Sequence, residues 1–144
     1  MAASPDSDRR SIYLPIQRGN LNDLFQVFDF PDPSALAGKR YVTTAPTQAL
    51  YLMNSPFVIE KARTWAGKLT GESGKSDSDL VQSVYLAAYA RSCSQAEEKN
   101  ALKFLTDYNN VLAQVEPNAK SRKEKVWTGF CQAIIESAEF RFIN

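Results

Sequence analysis

The chain has 144 residues, 44% of them hydrophobic, with 17 Lys and Arg against 16 Asp and Glu and no histidine. That length fits one domain able to bury roughly two-thirds of its unfolded surface, so a disulfide or metal staple is not required. Balanced charge excludes the basic excess on which bulk nucleic-acid binding depends. The absence of His removes the commonest general base and the commonest transition-metal ligand.

Residues 1–8 carry no apolar core and are expected to form a disordered lead-in rather than a signal peptide. From 9 to 45 the chain is rich in Pro, Asp, Asn and aromatic residues. Ser11-Ile12-Tyr13-Leu14-Pro15-Ile16 has strand-like composition, but Pro15 cannot donate a ladder hydrogen bond, which demotes the run to a short edge strand or an extended segment. Leu21, Leu24, Phe25 and Phe28 stand at helical spacing, with Asn20 or Asn22 as N-cap, and Pro31 and Pro33 end that helix.

Pro46 suits a first helical turn and opens a helix through Met53. Asn54-Ser55-Pro56 breaks it and starts another, with Val58, Ala62, Trp65 and Leu69 on one stripe, up to a loop at 71–74. Asp77 or Ser78 opens a helix bearing Leu80, Val81, Val84, Tyr85 and Ala88. Ser94-Gln95-Ala96-Glu97 is a capping box, followed by a stripe of Ala101, Leu105, Tyr108, Leu112 and Val115 with Phe104 and Val111 beside it, and Pro117 ends that helix. A second capping box, Ser121 to Glu124, is expected to start the last long helix, whose wide face of Val126, Trp127, Phe130, Cys131, Ile134, Ile135 and Ala138 suits the centre of a core. No apolar run approaches the ~18 residues a bilayer span needs.

The expected fold is therefore mainly α. It is a single helical domain over 9–144, an antiparallel bundle over 46–142 with the irregular segment 9–45 packed across it. Cys93 and Cys131 are too few for a zinc site. They read as free apolar thiols, or as a mutual disulfide if the chain is exported.

Few side chains suggest chemistry. Asp29 and Asp32 flank Pro31 and could share acid/base work or bind calcium, yet calcium needs about six oxygen ligands and turn-making explains both better. Arg10, Arg18 and Arg40, with Lys39, could clamp a carboxylate or phosphate, though pairing with Asp23, Asp29 or Asp32 is the favoured reading. Ser11, Thr43, Thr44 and Ser55 lack an adjacent base, and Ser121 with Lys125 reads as a helix start rather than a dyad. Trp65 and Trp127, which could join Tyr13 and Tyr41 in a stacking platform, lie on core stripes. Lys120, Arg122, Lys123 and Lys125 read as a solvated face. No catalytic, metal or cofactor site is assigned. Arg10, Arg18, Asp29, Asp32 and Arg40 stand as a candidate polar interaction surface.

Several peptides carry a resemblance. Arg10 to Pro15, Asp23 to Pro33, and Thr43 to Leu50 running into Leu52 to Val58 look like the C-terminal domain of unknown function found in planctomycete cytochrome-c-associated surface proteins. So does the end, Phe130 to Phe140. The family typically has Gly-Arg-Pro-Pro where this chain has Ala90-Arg91-Ser92-Cys93. The resemblance implies a module of a larger exported protein, periplasmic or at the cell surface, following another domain and in many members a cytochrome c-like domain. It implies no activity.

Function then reads as a non-catalytic interaction or structural module whose partner is the preceding domain of the same polypeptide or a neighbouring subunit. The alternatives are an accessory domain of an extracytoplasmic enzyme acting on carbohydrate, or a docking face beside a cytochrome domain.

Overall fold

The computed structural model describes residues 11–14, 16, 19–21, 23–36, 38, 46–71 and 74–142. Among them lie seven α-helices and one 3₁₀ turn, with no β-strand, so the chain is mainly α as expected. Contacts divide the chain into two compact units, Met1–Asn54 and Ser55–Asn144.

The first unit holds the 3₁₀ turn Ser11–Tyr13, helix α1 (Asp23–Val27) and helix α2 (Pro46–Asn54). The expected edge strand at its start is instead that turn, closed by the Leu14 N–H donating to the Ser11 carbonyl at 3.0 Å. A lone extended segment leaves its backbone groups without partners, whereas an i→i+3 bond satisfies them locally. Leu14, Phe25 and Leu52 are buried, and Phe28 meets Tyr51 edge-on with centroids 6.0 Å apart. Pro46 occupies the first position of α2, as its fixed φ favours.

The second unit holds α3 (Pro56–Gly71), α4 (Asp77–Tyr89), α5 (Gln95–Ala113), α6 (Ala119–Glu136) and the four-residue α7 (Ala138–Arg141). α6 is its axis. It packs most extensively on α3, then on α5, and also touches α4 and α7. The buried cluster takes Ala62, Ala66 and Leu69 from α3, Leu80, Val81 and Val84 from α4, Cys93, Ala101 and Leu105, and Val126, Trp127, Phe130, Cys131 and Ile134 from α6. Ala62 and Ala66 are fully buried one turn apart, so α3 meets α6 through small side chains. α5 also approaches α6 closely: a Cβ on Gly129 would lie 2.8 Å from Tyr108 Cε1.

Three helix starts illustrate how caps set boundaries. Ser94 caps α5 through the expected box with Glu97. Ser76 caps α4 through an equivalent box with Asp79, one residue before the anticipated start. The expected box at Ser121 and Glu124 does not form, because α6 begins earlier. There Asn118 is the N-cap, its Oδ1 accepting from the Lys120 and Ser121 N–H groups at 3.0 and 3.2 Å, which leaves the Ser121 hydroxyl to donate to Glu116. At the far end Ser137 breaks the run, so Ala138 falls outside the core face and is exposed.

On α5 the stripe is covered at Ala101 and Leu105, which are buried, and partly at Tyr108 and Leu112. The helix ends at Ala113, before the expected stop at Pro117, so Val115 falls past it and is 77% exposed, and Val111 beside the stripe is 62% exposed. Trp127 is buried and Trp65 half-buried, which places both with the core. Both cysteines are free and buried. Burial pushes the Cys131 thiol up to about 12 and raises Cys93 as well. Among the described residues no helix is long and apolar enough to cross a membrane.

Candidate functional site

Of the five residues singled out as a polar surface, Arg10, Arg18 and Arg40 lie outside the described residues, as do Lys39 and Tyr41. Asp29 and Asp32 serve two separate turns. Helix α1 ends with the Phe30 N–H donating to the Phe25 carbonyl at 2.9 Å, and Asp29 stands between them in the left-handed region at φ 56°. This is the six-to-one bond of a Schellman cap, completed by its usual apolar contact, the Phe25 and Phe30 rings 4.8 Å apart. Asp32 turns the chain next: its Oδ1 accepts from the Ser34 N–H at 2.8 Å and its carbonyl from the Ala35 N–H at 3.1 Å.

The most developed polar cluster sits in the second unit, where α4, α5 and α7 meet around Arg91. Its Nη1 and Nη2 donate to the two oxygens of Glu97 at 3.0 and 2.7 Å. Its Nε and Nη2 donate to the two oxygens of Glu139 at 2.6 and 2.8 Å. Nη1 also donates to the Ser92 carbonyl at 3.2 Å. A guanidinium carries five N–H donors, and these five bonds use them all. The rings of Tyr85 and Tyr89 each lie 5.5 Å from Cζ, so the cation also rests against two aromatic side chains. Tyr89 shares a hydrogen bond of 2.9 Å with Ser137, and the Gln82 amide pairs with both the N–H and the carbonyl of Cys93. The loop between α4 and α5 is thus pinned from three sides.

The electrostatics follow from that geometry. Arg91, then the Ser94 backbone and hydroxyl, hold the Glu97 carboxyl down to about 2. Arg91 likewise lowers Glu139. Burial, with smaller contributions from neighbouring charges, pushes the Tyr85 phenol up to about 12. Two carboxylates face one guanidinium, leaving a net charge of about −1 with no spare donor. The hydroxyl paired with a carboxylate here, Ser94 with Glu97, is the capping box of α5, and Arg91 holds that carboxylate as a weak base. Among the described residues there is also no group of three or more His, Cys, Asp or Glu side chains that could hold a metal ion. A groove of about 380 Å³ crosses α6 between Arg63 and Tyr108. Its Lys125 is engaged by Glu116 at 2.5 Å, and its Thr128 hydroxyl by the Glu124 carbonyl.

The family model for PSD1, described as a protein of unknown function (DUF1553), matches residues 2–105. The chain belongs to the PSD1 family. No curated protein and no solved structure matches it.

The PSD1 match takes in Arg91 and Glu97 and ends before α6. It also spans Ala90, the residue that closes α4. Ala90 adopts φ 54° and ψ 26°, and its N–H closes the end of α4 on the Leu86 carbonyl. A left-handed residue with a Cβ is strained, and glycine is not. Ala90→Gly is therefore expected to stabilise the PSD1 fold by about 0.5–1 kcal/mol, read from urea midpoints.

Acid offers a second check. A carboxyl held below its ordinary value contributes stability above that value, near 4.5 for Glu97, and loses it as pH falls through about 2. Arg91→Met removes the cation and leaves Glu97 and Glu139 facing one another. Wild type is expected to hold its full lead over this variant at pH 6, to lose it progressively below about 4.5, and to have lost most of the carboxylates' share near pH 2, by urea unfolding across that range.

Proposed function

We propose that this PSD1 chain is a non-catalytic interaction module, the C-terminal part of a larger exported protein of the planctomycete, cytochrome-associated kind. Its partner is the domain preceding it in that protein or a neighbouring subunit, and not nucleic acid. The observation that carries this reading is the surface of the first unit. Among its described residues Leu14, Phe25 and Leu52 are the buried apolar side chains, while Ile12, Tyr13, Ile16, Leu36, Leu50 and Met53 are exposed. Leu50 and Met53 are 56% and 54% exposed and share the outward side of α2 with Ala49, opposite the buried Gln48 and Leu52. A surface on which the described residues expose more large apolar side chains than they bury has the character of an interface.

The state of Arg91 supports the same reading. Among the described residues Arg91 is the most fully hydrogen-bonded side chain, and with α7 in place it spends all five donors internally, as a scaffold group does.

The test is to mix this chain with the separately expressed region encoded upstream of Met1. Association is expected in the micromolar range, weakened at least about tenfold by the double substitution Leu50→Glu, Met53→Glu, with helix content unchanged. No association at high micromolar concentration would overturn the proposal.

A further inference from the structure

Glu97 and Glu139 share Arg91 but are not held alike. Glu97 lies in the first turn of the 19-residue α5, and its Oε2 also accepts from the Ser94 N–H and hydroxyl at 2.9 and 2.7 Å. Glu139 has Arg91 as its one hydrogen-bonding partner among the described residues, is 47% exposed, and sits on a four-residue helix that buries no side chain. Besides the Arg91–Glu139 pair, a Tyr89–Ser137 hydrogen bond ties the N-cap of α7 to the end of α4.

We propose that the Nε–Nη2 edge of Arg91 is a carboxylate-binding site which Glu139 fills in cis, and that α7 is a latch whose release opens that edge to an acidic side chain of a partner protein. The edge stays organised when α7 leaves. Glu97 still holds Nη1 and Nη2, the Ser92 carbonyl still takes the second Nη1 proton, and the Tyr85 and Tyr89 rings still flank the guanidinium. What remains is two parallel N–H donors in the fork that a carboxylate accepts bidentately. Elements with few buried apolar contacts open at lower free energy than the core they rest on, and α7 is such an element. The inference stands whatever partner the module docks against, because its test uses this chain alone.

Two readouts test it. In hydrogen exchange, the Arg141 and Phe142 amides, which bond to the Ser137 and Ala138 carbonyls, are expected to exchange at least about 100-fold faster than the amides of 126–134. Glu139→Ala should speed them further while leaving α6 unchanged. In NMR, the Arg91 Nε–H resonance is followed during titration with sodium acetate at constant ionic strength, with chloride as control. Glu139→Ala is expected to respond at acetate concentrations at least about tenfold lower than wild type. Exchange of Arg141 and Phe142 in step with α6 in both proteins would overturn the latch. An Arg91 resonance in the variant that follows chloride as well as acetate, or responds no earlier than wild type, would overturn the site.

Discussion

Trp127→Ala is expected to destabilise the second unit by about 3–5 kcal/mol, the range for removing a buried aromatic side chain. Trp127 is 1% exposed and is the largest fully buried side chain among the described residues. It sits on α6, the helix every other element of the unit touches, and meets Phe130 edge-on at 5.7 Å. Its indole belongs to the buried cluster to which α3, α4 and α6 all contribute, and a cavity in a close-packed core collapses only in part. Against a total of about 5–15 kcal/mol for an ordinary domain, such a loss consumes much of the stability. Urea unfolding followed by far-UV circular dichroism reads it directly, and a change below about 1 kcal/mol would mean that α6 is not the axis of the core.

Ala62→Leu carries the second largest expectation, a loss of about 1–3 kcal/mol from overpacking. Ala62 is 0% exposed on the face that α3 turns toward α6. Its methyl sets the separation of those helices, and three added carbons require α3 to shift or α6 to repack. Thr64→Leu, two residues away and exposed, is the control: it is expected to change stability by no more than about 0.5 kcal/mol. Equal effects at both positions would show that the close α3–α6 approach is not what the small side chains provide.

Local chemistry explains which parts of this fold were legible in the sequence. Prolines at 46 and 56 mark the first residues of α2 and α3, and Ser94 with Glu97 announces α5, because each acts within one turn of itself. The cap at Ser76 was less visible since Asp79 replaces the usual Glu or Gln, and Asn118 was masked by the competing Ser121 pattern three residues on. The Arg91 cluster was missed for a different reason. Glu139 and the Tyr89 partner Ser137 each lie 48 residues away from the groups they bind. No periodicity in a single chain encodes a contact at that range. The apolar pattern of α5 misled in two ways: the helix ends at Ala113, so Val115 lies beyond it, and Val111, set beside the stripe, is exposed because amphipathic spacing does not say whether another helix covers a face.

Asp29 and Asp32 show the same limit from the other side. Their spacing invited a paired-carboxylate reading, while the geometry gives each a backbone task of its own. With α7 in place Arg91 is likewise engaged by its own neighbours, and the proposed function rests on the apolar surface of the first unit. The measurement that bears on it most directly is the DNA sequence upstream of the codon for Met1. An open frame continuous with this one, encoding a further domain, a signal peptide and a C-x-x-C-H haem motif, is the predicted result. An in-frame stop codon immediately upstream of a functional start would contradict it.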